Sequence, residues 1–80
     1  MPTEKWEKPI EVSFIGEGSR IVGGPFEALI CLTEGWPDMR GIQFLRARSK
    51  CRAALAGRGT AEEARSEFLA AVREVEISKH

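Results

Sequence analysis

The chain has a single histidine, His80, and it is the last residue. A terminal imidazole makes a poor general base, because chain ends are seldom held in one geometry. With no second histidine there is no Ser-His or Cys-His nucleophile pair and no histidine metal cluster. Cysteine is scarce too. Cys31 and Cys51 lack CxxC spacing and are expected as buried, reduced thiols. A disulfide needs an oxidising compartment and a metal site needs further ligands, and neither is visible. No GK[ST] or GxGxxG run is present, so the glycines near the N-terminus carry no phosphate-cradle signature. No metal or other cofactor is expected.

Net charge is also missing. Twelve basic residues balance twelve acidic ones, which argues against a dedicated nucleic-acid or membrane binder while leaving room for a local patch. Residues Met1 to Lys8 are charged, so no signal peptide is expected. No apolar run reaches the roughly 18–20 residues of a membrane span. A cytoplasmic protein is the expectation. Eighty residues make one domain, residues 1–80, with a modest core.

Local patterns are clear by contrast. Ile10, Val12 and Phe14 alternate with Glu11, Ser13 and Ile15, the period of a strand. Gly16-Glu17-Gly18-Ser19 reads as a turn, and Arg20-Ile21-Val22 as the returning strand. The pair predicts a hairpin over residues 9–23. A lone hairpin is marginal in water, so it must pack on helices or pair again.

A first helix is predicted over 25–34, with Gly24 as N-cap and Pro25 in the first turn. Phe26, Leu29, Ile30 and Thr33 share one face, and Gly35 closes the helix. A second helix is predicted over 40–56, with Phe44, Ala47, Cys51, Ala54 and Leu55 as its buried stripe. Gly57 and Gly59 terminate it. Thr60-Ala61-Glu62-Glu63 is a capping box opening a third helix over 60–75. Ala61, Ala64, Phe68, Ala71, Val72 and Val75 line its apolar stripe. Glu76-Ile77-Ser78 reads as a frayed helix end or a short third strand. The fold class is therefore α+β: a two-stranded antiparallel hairpin packed on three helices.

Two large aromatics are expected as lids of the small core, Trp6 over the hairpin and Trp36 at the corner between the first two helices. Pro37 fixes that corner, and Gly35 and Gly41 free the backbone beside it. Each aromatic also has a functional reading, as an exposed contact for a partner. Leu32, Ile42, Leu45 and Leu69 fall off the main stripes, and read as a broader core or as an interaction face.

One strong asymmetry remains. Between Met39 and Gly59 stand Arg40, Arg46, Arg48, Lys50, Arg52 and Arg58, with no acid. Arg46 and Lys50 lie on one flank of the second helix, Arg48 and Arg52 on the other. The bland reading is a solvated helix whose basic flanks pair with Glu27, Glu34, Glu67 and Glu74. The sharper one is a surface for nucleic acid or another polyanion. No stacking aromatics lie nearby, and no helix-turn-helix spacing supports it.

The elements Trp6-x-x-Pro9-Ile10, Arg20-x-Val22, Glu27-Ala28-Leu29, Trp36-Pro37-x-x-x-Gly41, Cys51-x-x-Ala54-Leu55-x-Gly57 and Glu63-Ala64-Arg65-x-x-Phe68 together resemble the small bacterial proteins grouped as "domain of unknown function 982". The resemblance runs from about Trp6 to Ile77. This chain has Gly24-Pro25 where that family usually has a serine-type cap, and Glu76 where it usually has glycine. The resemblance implies a fold and a compartment, but no catalytic residue. Trp6, Trp36, Pro37, Gly41, Cys51, Leu55, Gly57 and Phe68 are expected as structural positions. The leading functional expectation is a non-enzymatic module that binds a protein partner or a second copy of itself. The alternative is weak polyanion binding through Arg46, Arg48, Lys50 and Arg52.

Overall fold

The computed structural model describes residues 5–13, 20–34, 36, 37 and 39–78. Strand β1 (Ile10–Val12) pairs antiparallel with β2 (Arg20–Val22), with Ile10 opposite Val22 and Val12 opposite Arg20. Helices α1 (Pro25–Thr33), α2 (Ile42–Leu55) and α3 (Ala61–Ser78) follow. This is the expected α+β arrangement of a hairpin and three helices. The predicted contributions of Phe14, Ile15, the Gly16–Ser19 turn, Gly35 and His80 lie outside the described residues.

The hairpin has a clear inside. Ile10, Val12 and Val22 are buried, while Glu11 and Ile21 point outward. The ladder reaches back past β1, where the Trp6 amide donates to the Gly23 carbonyl at 2.7 Å. The indole N–H of Trp6 donates to the Ala61 carbonyl at 2.8 Å, and its ring lies 5.8 Å from Phe68. Trp6 therefore ties the N-terminal segment to the start of α3. It sits deeper in the fold than a lid over the hairpin would.

Helix α1 starts as its sequence dictates. Gly24 is the N-cap in extended conformation, and Pro25 follows in the first turn. With no side-chain cap available, the Glu27 carboxylate reaches back to accept from the Gly23 amide at 3.1 Å. The buried face lies opposite the one shared by Phe26, Leu29, Ile30 and Thr33. Pro25, Ala28, Cys31 and Leu32 are buried, whereas Phe26 is 58% exposed. The small Ala28 and Cys31 let α1 approach α2 closely, and a phenylalanine on that face would hold the helices apart.

Helix α2 begins after a turn at Met39 and Arg40, two residues later than predicted, and ends in a Schellman motif. Arg58 N–H donates to Ala53 at 2.8 Å and Gly57 N–H to Ala54 at 3.2 Å. Gly57 sits at φ +80°, a left-handed position that favours glycine. Phe44, Ala47, Cys51 and Ala54 form the buried stripe, and Leu55 is half-buried at its edge.

Helix α3 opens with the predicted capping box. Glu63 N–H donates to the Thr60 hydroxyl at 3.1 Å, and Thr60 N–H donates to the Glu63 carboxylate at 3.0 Å. The helix then runs on through Glu76, Ile77 and Ser78. The third-strand reading of this segment is thereby corrected. No glycine or proline interrupts the chain there, and Val75 remains in the buried stripe to carry the helix forward.

The core centres on Phe68, fully buried on α3. Trp6 meets one side of it and Trp36 another, with Trp36 5.6 Å away. Trp36 also reaches Phe44 at 6.3 Å. Thus two tryptophans, one before β1 and one between α1 and α2, converge on a single ring.

Candidate functional site

The described surface offers two candidate faces, one built by β2 and α1 and one by α2. The first begins with Ile21. Its residue pairs with Glu11 on the outer side of the hairpin, so its side chain faces solvent and is 56% exposed. A shallow groove of about 200 Å³ runs beside it, lined by Arg20, Ile21, Glu27 and Ile30. Phe26 stands one helical turn before Ile30 on α1 and extends the same apolar stripe. Arg20 and Glu27 supply opposite charges within the groove. The Arg20 guanidinium also donates to the Cys31 sulfur at 3.5 Å, which raises its own pKa.

The second face lies on α2. The structure keeps the two basic pairs apart, as the helix periodicity requires. Arg46, Lys50 and Arg52 are exposed, and Arg48 is half-buried with its guanidinium 5.7 Å from the centre of the Phe44 ring. Between the pairs, Ile42 is 66% and Leu45 46% exposed. Exposed Ser49 and half-buried Ala53 continue that strip towards the C-terminus of the helix. Two of the four acids proposed as partners for these cations have contacts elsewhere. Glu27 caps α1, and Glu74 accepts from the Gln43 amide at 3.4 Å. Among the described residues, Arg46 and Arg52 form no ion pair.

Lys50 acts at a distance on Glu63. The Glu63 carboxyl is held below its ordinary pKa, first by the hydrogen bond from the Thr60 amide, then by the Lys50 charge, then by the Thr60 hydroxyl. Burial pushes the Cys51 thiol up to about 12, so it stays protonated at neutral pH and is a poor nucleophile or metal ligand. Both cysteines are free and buried. Among the described residues no group of three or more histidine, cysteine or acidic side chains could hold a metal ion. No helix among them is long and apolar enough to cross a membrane.

A second depression, of about 230 Å³, is lined by Glu7, Lys8, Glu62 and Arg65. Arg65 uses its Nε to donate to the Lys8 carbonyl at 2.8 Å. That contact anchors the segment before β1 to α3.

Residues 8–79 match the family described as "Protein of unknown function (DUF982)". The chain belongs to that family. Its fold recurs in an Agrobacterium tumefaciens protein determined by NMR as a structural-genomics target. The two superpose with a TM-score of 0.72 at 40% identity, over 90% of this chain and 72% of the other. Among curated proteins none matches the chain.

The structural positions named from the sequence fall as follows in this DUF982 protein. Trp6, Trp36, Cys51 and Phe68 are buried, Leu55 is half-buried, and Pro37 is exposed at the α1–α2 corner. Gly57 takes the left-handed position after α2. Gly41 has ordinary extended torsions, φ −62° and ψ 143°, so backbone freedom does not explain it. A Cβ there would overlap the Glu74 carboxylate. Its role is room for that group.

Sequence reasoning missed Phe26 and Ile21 as surface residues. The sequence pattern puts Phe26 on one helical face with Leu29, Ile30 and Thr33 and does not say whether that face is buried. The signal that could have placed it was the competing run Ala28, Cys31 and Leu32, whose smaller side chains fit a helix–helix contact better.

Proposed function

We propose that this protein is a non-enzymatic interaction module that pairs with a second copy of itself through the outer face of β2 and α1. The observation that carries the reading is the exposure of Ile21 and Phe26, each more than half open to solvent beside the groove at Ile30. Water around such side chains is released when they are covered, at about 25 cal/mol per Å² of apolar surface. An 80-residue chain already has little apolar residue to spare from its core.

The charges support a symmetric pair. In a two-fold interface each patch meets its own copy, so every group needs a complement within the patch. Arg20 and Glu27 are such a complement. A two-fold axis near Ile21 would set Arg20 of one copy towards Glu27 of the other. The balanced net charge of the chain places no large repulsion against this. Free thiols at Cys31 and Cys51 support a reducing, cytoplasmic setting.

Light scattering after size exclusion tests the reading. The wild-type protein is expected to show twice its 8.9 kDa mass at concentrations of about 100 µM, a range typical of weak pairs. Phe26→Asp is expected to give a folded monomer. A wild-type protein that stays monomeric at millimolar concentration overturns the proposal.

A further inference from the structure

The solvent face of α2 has a pattern that neither a solvated helix nor a polyanion groove requires. At about 100° per residue, Ile42, Leu45, Ser49 and Ala53 run along its centre, with Arg46 and Lys50 on one side and Arg48 and Arg52 on the other. Met39, 48% exposed, extends the apolar end before the helix begins. The strip is apolar at its N-terminal half and small at its C-terminal half. Basic side chains border it throughout, and from Met39 to Gly59 no acid interrupts them.

We propose that this face receives an amphipathic helix of a partner protein, one with apolar residues along its centre and Asp or Glu along both flanks. Three features select that occupant. The exposed Ile42 and Leu45 offer an apolar contact in the middle of the face, where nucleic acid would present phosphates. Ser49 and Ala53 place only small side chains between the two basic pairs, and low residues of that kind let a second helix approach within about 8–10 Å. The arginines on either side suit carboxylates, which guanidinium groups bind in a two-pronged fashion. Arg48 is already steadied on the Phe44 ring, which lowers the entropy it loses on binding.

A membrane surface fits less well. Interfacial helices carry bulky apolar residues along their whole apolar face, whereas Ser49 and Ala53 leave half of this one without any. Nucleic acid fits less well because the two basic pairs are split by the apolar strip, and the aromatic beside them, Phe44, is buried and closed to a stacking base. The face shares no residue with the β2–α1 patch, so either site can fail while the other stands.

The test uses a synthetic helical peptide of about 15 residues, with leucines at i, i+3 and i+7 and glutamates on both flanks. Its controls are a scrambled peptide of identical composition, a duplex oligonucleotide and vesicles of anionic phospholipid. Fluorescence anisotropy or calorimetry with the full chain is expected to show the patterned peptide binding at least about tenfold more tightly than the scrambled one. Ile42→Glu, and separately the pair Arg46→Glu with Arg52→Glu, are expected to weaken that binding by about tenfold or more. All of these side chains are exposed, so the variants retain the fold, which circular dichroism verifies. Ser66→Ala, on the exposed side of α3, is expected to leave the binding unchanged. Equal binding of the scrambled peptide, tighter binding of the oligonucleotide or the vesicles, or no binding of the patterned peptide each overturns the proposal.

Discussion

The Glu74 carboxylate of α3 occupies the space where a side chain at Gly41 would stand, and from there it accepts the Gln43 amide at the first turn of α2. Helix α2 has no side-chain cap and no acid in its own first turn. Its positive N-terminal end is met by an acid from another helix, which satisfies an orphan amide and the helix dipole together. Glycine at position 41 is what lets the acid come so close.

This relationship predicts non-additive stability changes. Glu74→Ala should lower stability by about 0.5–2 kcal/mol, the usual range for losing a helix cap. Gly41→Ala should cost about 1 kcal/mol by expelling the carboxylate. In the double variant the Gly41→Ala penalty should shrink to a few tenths, because the group it displaces is gone. Urea denaturation of the four proteins checks the cycle. Full additivity would mean that Glu74 does not act through Gly41.

Trp36 joins two helices through one ring cluster, 5.6 Å from Phe68 and 6.3 Å from Phe44. Trp36→Ala should therefore cost about 3–5 kcal/mol, the range for truncating a large core aromatic. Chemical denaturation measures the loss. A change below about 1 kcal/mol, the scale of ordinary surface substitutions or less, would mean that the cluster contributes little.

Glu63 links stability to acid. Its folded pKa is lowered, chiefly by the Thr60 amide hydrogen bond. A lowered pKa means that the carboxylate stabilises the fold at pH above its unfolded value. That contribution fades as pH falls through the folded value. Between pH 6 and pH 3, a window spanning the ordinary glutamate pKa of about 4.3, the wild-type urea midpoint should fall more than that of Glu63→Gln. Parallel midpoints would remove the capping box as a source of acid sensitivity.

The thiols give a chemical test of burial. Cys31 and Cys51 are fully enclosed, and Cys51 is further protected by a pKa raised to about 12. A thiol-reactive dye at pH 8 should label neither in the native protein and both in denaturant. Fast labelling of Cys51 in the native state would contradict the packing of α2 on its neighbours.

The sequence made much of this fold legible because its local signals agree with one another. Thr60 and Glu63 announce a helix start, Gly57 a helix end, and Gly24-Pro25 another start. These features act within one turn of chain, so no tertiary knowledge is needed to read them. Phe26 was harder, because α1 offers two apolar stripes and only the presence of α2 selects Ala28, Cys31 and Leu32 for burial. Glu74 was harder still. Its partner lies 31 positions away, and nothing in its own helix marks it as different from Glu67 or Glu76. The α2 face was half legible. The basic flanks follow from spacing, but the exposure of Ile42 and Leu45 comes only from the packed structure.

The central claim is that the exposed apolar side chains of this small protein are contact residues, with Phe26 and Ile21 forming its self-association face. The most direct measurement is multi-angle light scattering on the wild type, Phe26→Asp and Ile21→Lys across a concentration series. The account predicts a wild-type mass that rises to twice 8.9 kDa, with both variants held at the monomer mass and folded. A wild type that remains monomeric throughout, or variants that dimerise as it does, would contradict the account.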